Sequence, residues 1–175
     1  MEQIGKRIRI NGPEIRISSP KNIFMLLFMP VWLCGWTIGG FAAISQVISM
    51  PGKEAWFLIL WLCGWIFGEV FVLYAFLWGA FGYESVKIDQ GIMSVRRSIF
   101  GYGLLKDYPL SGASNLRASG LFGSPMSWRF GMTYWGISGG SVAFEYAGKT
   151  RRFGINLNED EANQLVVAMK KRFNL

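Results

Sequence analysis

Two uninterrupted apolar runs decide most of what this chain can fold into. The first is Ile23 to Ile48, IFMLLFMPVWLCGWTIGGFAAISQVI, and the second is Ala55 to Phe81, AWFLILWLCGWIFGEVFVLYAFLWGAF. Between Asn22 and Gly82 the only charged residues are Lys53, Glu54 and Glu69. Each run exceeds the ~20 residues that cross a hydrocarbon core, so the sequence predicts two spans, about 23–48 and 55–81, within a transmembrane hairpin over 23–82. A signal peptide fits the first run poorly, because no small-x-small cleavage site ends it and a second span follows at once. The short loop from Ser49 to Glu54 can only join antiparallel helices.

The flanks set the expected topology. The segment 1–22 holds Lys6, Arg7, Arg9, Arg16 and Lys21 against Glu2 and Glu14, whereas the loop holds Lys53 offset by Glu54. From Tyr83 onward there are twelve basic residues against seven acidic. Positive charge stays on the cytoplasmic side, so a multi-pass protein of the inner (cytoplasmic) membrane with both termini inside is expected.

Composition then narrows the chemistry. The chain has no histidine, and its two cysteines, Cys34 and Cys63, both lie in the apolar runs. That removes the commonest general base, the commonest haem ligand and most transition-metal sites. Folded about the loop, the hairpin puts the two cysteines roughly 9 Å apart along its axis, which disfavours a disulfide. There is no Ser/His/Asp set, no phosphate loop and no metal cluster. Gly120-Leu-Phe-Gly-Ser124 lacks a nucleotide-fold context, and Gly101-Tyr-Gly103 reads as a turn. No enzyme activity, catalytic residue, metal or cofactor is expected.

The two spans echo each other. Trp32-Leu-Cys-Gly-Trp36 recurs as Trp61-Leu-Cys-Gly-Trp65, and each copy reaches a second glycine four residues after its first. Gly35-x-x-x-Gly39 and Gly64-x-x-x-Gly68 each place two glycines on one helix face. In a hairpin folded about its loop, Gly39 faces Gly64 and Gly35 faces Gly68, which predicts a tight seam extended by Ala75 and Gly79. Glu69 sits beside that seam. Its functional reading is a proton, ion or partner site; its structural reading is a protonated acid bonded to a backbone carbonyl or to Thr37, and the second is favoured because such groups also hold helices together. Trp56 and Trp78 suit the two interfaces of the second span. Trp32, Trp36, Trp61 and Trp65 lie deeper, facing lipid, a partner helix or a pigment. Pro30 should bend the first span.

From Tyr83 the pattern changes to strands and tight turns. Glu84-Ser-Val-Lys-Ile88 alternates, Asp89-Gln-Gly91 turns the chain, and Ile92 to Ile99 alternates again. Tyr108 to Leu116 reads as a strand broken at Ser111-Gly112. Arg117 to Gly131 is a Gly/Ser-rich loop, Met132 to Ile137 a strand, and Ser141–Tyr146 with Thr150–Ile155 a hairpin about Ala147-Gly-Lys149. The end is a helix over about 159–173. Asn158 and Glu161 form a capping-box pattern, and Ala162, Leu165, Val166, Met169 and Phe173 make one apolar stripe. Arg7–Ile10 and Glu14–Ile17 alternate about Asn11-Gly-Pro13 and should form short strands on the edge of this domain; a free basic arm on anionic lipid is the alternative.

Short antiparallel strands closed by one C-terminal helix match a pleckstrin-homology-like (PH-like) β-barrel. An α+β membrane protein is therefore expected: the hairpin, then a cytoplasmic PH-like domain over 83–175. The strand opening at Glu84, the phrase Phe153-Gly-Ile-Asn-Leu-Asn158 before a capped helix and the Trp-x-x-Gly-Trp repeats resemble bacterial membrane-anchored PH-like proteins with an N-terminal two-helix hairpin. The layout alone is also similar to that of the photosystem I assembly factors of oxygenic phototrophs. Such domains are usually non-enzymatic docking modules, so the resemblance implies a non-catalytic accessory, scaffold or assembly subunit of a larger membrane complex.

Arg96, Arg97, Arg117, Arg129, Arg151 and Arg152 are the candidate contacts for lipid headgroups or an acidic partner. An ordinary basic cytoplasmic surface beside an anionic leaflet is the simpler and favoured explanation of them. Two further functions compete: an independent anionic-lipid sensor, and a small channel or transporter subunit using Glu69, which would need a homo-oligomer. Membrane lipids are expected partners; nucleic acid is not, since the aromatics lie mostly in the spans.

Overall fold

The computed structural model describes residues 2–49, 52, 55–119, 140–155 and 157–173. The chain is α+β and divides into two compact units, one of residues 1–20 with 81–175, the other of residues 21–80.

The first unit is built on antiparallel strands. β1 (Glu2–Ile4), β2 (Ile8–Asn11), β3 (Glu14–Ser18), β4 (Gly82–Asp89), β5 (Ile92–Ile99) and β6 (Tyr102–Pro109) form one sheet in that order. A single 3-10 turn, Leu110–Gly112, leads to a second sheet of β7 (Ala113–Ala118), β8 (Val142–Tyr146) and β9 (Lys149–Phe153). Among the described residues the two sheets do not close into the expected barrel. β7 carries an irregularity between Ser114 and Arg117, where Asn115 adopts φ +54°, and this bends the strand.

The N-terminal strands are not an appendage. β3 pairs directly with β4, Ile15 opposite Val86 and Ser18 opposite Tyr83. Period-2 alternation sends Ile8, Ile10, Ile15 and Ile17 inward, where all four are buried in the main core with Phe144, Phe153 and Leu165. Each such side chain contributes about 1.5–3 kcal/mol on leaving water.

Chain reversals are mostly of one kind. Gln90-Gly91, Phe100-Gly101 and Ala147-Gly148 all carry positive φ at both central positions, the two-residue hairpin turn whose twist matches the strands. The reading of Gly101 to Gly103 as a turn is half right: Gly101 turns, but Tyr102 already belongs to β6. Gly103 lies so close to β5 that a β-carbon there would stand 1.7 Å from the Arg97 carbonyl oxygen.

The unit ends in α3 (Glu159–Phe173). The Glu161 carboxylate accepts from Asn158 N–H at 3.1 Å while Asn158 Oδ1 accepts from Glu161 N–H at 2.7 Å, so both halves of the capping box form. Ala162, Leu165, Val166 and Met169 are buried, and Phe173 packs partly against the same core.

The second unit holds α1 (Ile23–Ser49) and α2 (Ala55–Phe81), which ends where the first unit resumes. Both helices are long and apolar enough to cross a membrane. α1 runs continuously through Pro30. Asn22 starts it, its side-chain oxygen accepting from Met25 N–H at 3.3 Å.

Candidate functional site

The expected glycine seam is filled differently. A β-carbon on Gly68 would stand 3.0 Å from Trp36 Cζ2, and one on Gly39 would stand 3.3 Å from Trp65 Cζ2. A β-carbon on Gly40 would stand 3.3 Å from Trp65 Nε1. A β-carbon on Gly35 or Gly64, by contrast, would have nothing within 4 Å, and one on Gly79 would stand 3.9 Å from Leu26 Cδ2. Glycine therefore does not face glycine across the hairpin. Each copy of the Trp-Leu-Cys-Gly-Trp echo drops its second tryptophan onto the other helix's second glycine. The physical reason is volume: an indole fills the gap that two glycines would leave, and in lipid such packing is what drives association.

Polar groups reinforce this exchange. Trp65 Nε1–H donates to the Trp36 carbonyl at 3.2 Å. The Thr37 hydroxyl hydrogen-bonds Glu69 Oε1 across the hairpin, and its oxygen lies 2.9 Å from the Leu33 carbonyl one turn back. Trp36 and Trp65 meet edge to face at 5.2 Å, extending a run of rings through Trp32 at 5.9 Å and Trp61 at 4.5 Å.

Outside the seam a groove of about 560 Å³ opens, lined by Phe28, Val31, Trp32, Gly35, Trp36 and Trp65. Gly35 is thus free on the inside and exposed in the groove. Trp56 is exposed, whereas Trp78 is only 3 % exposed, so it is not a free surface anchor. Cys34 and Cys63 are both free thiols.

In the β unit a charged clasp appears that sequence reasoning missed. Glu84 is 2 % exposed. Its Oε2 accepts from Gly154 N–H at 2.6 Å and Ile155 N–H at 3.1 Å, and its Oε1 accepts from Arg97 Nε–H at 3.3 Å. Arg7 grips the same segment by its carbonyl. It donates to Ser18 O through Nε and Nη2, at 3.0 and 2.9 Å, and to Ile155 O at 3.2 Å. Burial pushes the Arg7 guanidinium below its ordinary range, and Glu161, 3.9 Å away, works against that shift. The clasp joins the β1–β2 turn, β3, β4 and β5 to the link between β9 and α3. The signal for Glu84 was its phase: it alternates with Val86 and Ile88, which places a carboxylate on the core face.

Of the predicted basic residues, Arg96 and Arg97 lie on β5, Arg117 on β7, and Arg151 and Arg152 on β9. Arg96 and Arg97 are neighbours on β5, and Arg151 and Arg152 are neighbours on β9, so each pair points to opposite faces of its strand. The two strands also belong to different sheets. Arg97 is engaged by Glu84, and Arg117 donates to Glu145 at 3.1 Å. Arg129, most of the Arg117–Gly131 loop, Gly120–Ser124 and the Met132–Ile137 strand lie outside the described residues, as does most of the Ser49–Glu54 loop. Asn115 Nδ2–H also donates to Glu145, at 2.8 Å. These hydrogen bonds, from Asn115 and then Arg117, hold the Glu145 carboxyl below the usual carboxylate range. Arg16 lies 3.6 Å over the Tyr83 ring, a cation–π contact on the sheet surface.

Among the described residues no group of three or more His, Cys, Asp or Glu is placed to hold a metal ion. The clasp is filled by its own donors, so its chemistry is that of a tie. The hairpin offers an apolar surface and the groove beside Gly35. Comparison of the chain with protein-family models, with curated proteins and with solved structures finds no match.

Proposed function

We propose that this chain is a non-catalytic accessory or assembly subunit: its hairpin spans the inner membrane with both termini cytoplasmic and packs against a larger membrane complex. The carrying observation is the groove floored by Gly35. A β-carbon on Gly35 would meet nothing within 4 Å beyond its own turn of helix, yet indoles flank the position. A concavity floored by a small residue is what a neighbouring transmembrane helix packs into. The cytoplasmic unit, read as a PH-like docking module, supports the same reading. Its sheet runs β3 to β4 across the hairpin insertion, so a partner holding the helices also anchors the sheet.

Native mass spectrometry of the protein, purified from its own membranes in mild detergent, tests this. Large membrane subunits at fixed ratio are expected, and Gly35→Leu should release them while leaving the hairpin folded. A lone monomer, or a complex indifferent to Gly35→Leu, would sink the reading. The lipid-sensor alternative is weakened by the scatter of the arginines over two sheets. Lost liposome binding on replacing Arg96, Arg97, Arg151 and Arg152 by alanine, with assembly intact, would revive it. A channel built on Glu69 is weakened by that residue's bond to Thr37.

A further inference from the structure

The six-stranded sheet has two unlike ends. The antiparallel register places Ser18, Gly82, Tyr83, Ile99 and Tyr102 at one end, and Asn11, Glu14, Asp89, Ile92 and Pro109 at the other. The first end is continuous with α2, since β4 begins at Gly82 directly after Phe81. The exposed carboxylates Glu14, Asp89 and Asp107 gather toward the far end, with exposed Lys87 among them, whereas Lys6 is exposed at the near end and exposed Arg16 and Arg96 lie at mid-sheet opposite Ser85. The near end is also aromatic. Phe100 is 59 % exposed, Tyr102 86 % and Leu104 79 %, and the Phe100 ring packs on Phe81 at 4.3 Å between centroids.

The tip itself is unusual. Three hairpin turns share one backbone form, and the other two use Gln90 and Ala147 where this one uses Phe100, at φ +54°. A bulky residue rarely adopts that conformation, and Asn, Asp or Gly is the ordinary choice. The sequence therefore accepts both strain and apolar exposure at this one turn, next to the residue that ends α2.

We propose that the β5–β6 hairpin tip, Phe100 with Tyr102 and Leu104, is seated in the headgroup boundary of the lipid bilayer, a third membrane contact besides the two helices. The occupant is lipid because aromatic rings with a cation, Lys6, at the same end of the sheet match the chemistry of a membrane interface with anionic headgroups. The seat hides Phe100 from water and holds the near end of the sheet against the bilayer. This proposal rests on the reading that α1 and α2 span a membrane.

The test is nitroxide depth in the full chain. With Cys34→Ser and Cys63→Ser as background, single cysteines Phe100→Cys, Tyr102→Cys, Gln90→Cys and Phe67→Cys are labelled in nanodiscs of phosphatidylethanolamine and phosphatidylglycerol. Collisions with oxygen are compared with collisions with a water-soluble nickel chelate. Labels at 100 and 102 should favour oxygen severalfold over the label at 90, and the label at 67 should read the bilayer interior. Tyr102 is a strand position, so it reports even where the turn variant misfolds. Labels at 100 and 102 as open to nickel as that at 90, with 67 in lipid, would overturn the seat alone. Labels at 100 and 102 shielded from both agents would overturn it in favour of a protein-covered tip. A label at 67 open to nickel would overturn the spanning reading and the seat with it.

Discussion

The two units hold themselves together by different means. The β unit hides isoleucines and aromatics from water and then fastens its sheets with a buried carboxylate and a partly buried guanidinium. The hairpin hides little: in α1 only Met29 and Gly40 are buried, and in α2 only Ala55, Leu62, Ala75 and Trp78. Its cohesion comes from two indoles on two glycines and a few hydrogen bonds. The contrast teaches what solvent does to a core. Water makes burial the dominant drive, so the β unit tolerates a charged clasp. Around helices that could cross a membrane, lipid would supply no such drive, and contact quality would have to hold the pair.

The sharpest way to break the comparison is to remove the clasp. Glu84→Ala leaves the Gly154 and Ile155 N–H groups without their acceptor inside the unit and strands Arg97. A buried donor without a partner costs about 1–3 kcal/mol, and a broken buried pair about 3–5 kcal/mol. Arg97 is partly exposed, so about 3 kcal/mol is expected. Circular dichroism in detergent should show the β signal, with the part of the helical signal that α3 contributes, melting well below the wild type while the larger helical signal of α1 and α2 holds. Loss of that larger helical signal in step would mean the units share one stability. Glu84→Gln keeps one acceptor and should fall between.

The hairpin's counterpart is Gly68→Ala. The added carbon would stand 3.0 Å from Trp36 Cζ2, and displacing that ring should cost roughly 1–3 kcal/mol, as overpacking does. Gly35→Ala adds the same carbon where nothing is within 4 Å and should change stability by no more than about 0.5 kcal/mol. Helix-pair unfolding in bicelles distinguishes them. Equal effects from both substitutions would refute the indole-on-glycine seam and restore glycine on glycine.

A smaller effect is expected from Thr37→Val. Interhelical hydrogen bonds in membranes average about 0.6 kcal/mol, and the valine keeps the shape while losing the bond to Glu69. Glu69→Gln, which can still bond Thr37, should cost less than Glu69→Ala in the same unfolding assay. If Gln and Ala behave alike, the Thr37 bond contributes nothing measurable.

What the sequence made legible follows the strength of its periodicity. The apolar runs, the strands about Gln90-Gly91 and Ala147-Gly148, and the α3 stripe with its capping box all carry local signals that tertiary structure did not need to alter. Asn158 and Glu161 bond as their spacing requires. The start of β6 was hidden because Gly101 and Gly103 bracket Tyr102 and read as punctuation. The barrel was overdrawn because strand count does not say whether sheets close. The glycine spacing was visible, but which side chain would fill the gap depends on rotamers, and Trp36 and Trp65 were read as outward-facing. Arg7 was missed because strand alternation says nothing of a side chain in a turn that reaches Ser18 and Ile155.

The least disruptive test concerns charge at the β unit's surface. Glu145 is exposed, and its carboxyl lies low because Asn115 and then Arg117 hydrogen-bond it, a slight desolvation opposing them. A folded carboxyl depressed below its unfolded value adds stability that is fully present above about pH 4.3, the ordinary glutamate value, and is lost as pH falls through the lower folded value. Asn115→Gly removes the first of these bonds while suiting the φ of +54° at that position. The Glu145 midpoint, followed by carbon NMR of the side-chain carboxyl, should then rise toward the ordinary value, and Arg117→Ala, which removes both a hydrogen bond and a positive charge, should raise it too. Since Glu145 is open to water, screening keeps the stability change small, and the titration is the readout. A midpoint unmoved by Asn115→Gly would mean that Arg117 alone holds the carboxylate. The bend at β7 would then owe nothing to that surface bond, and Asn115 would be there for its backbone conformation only.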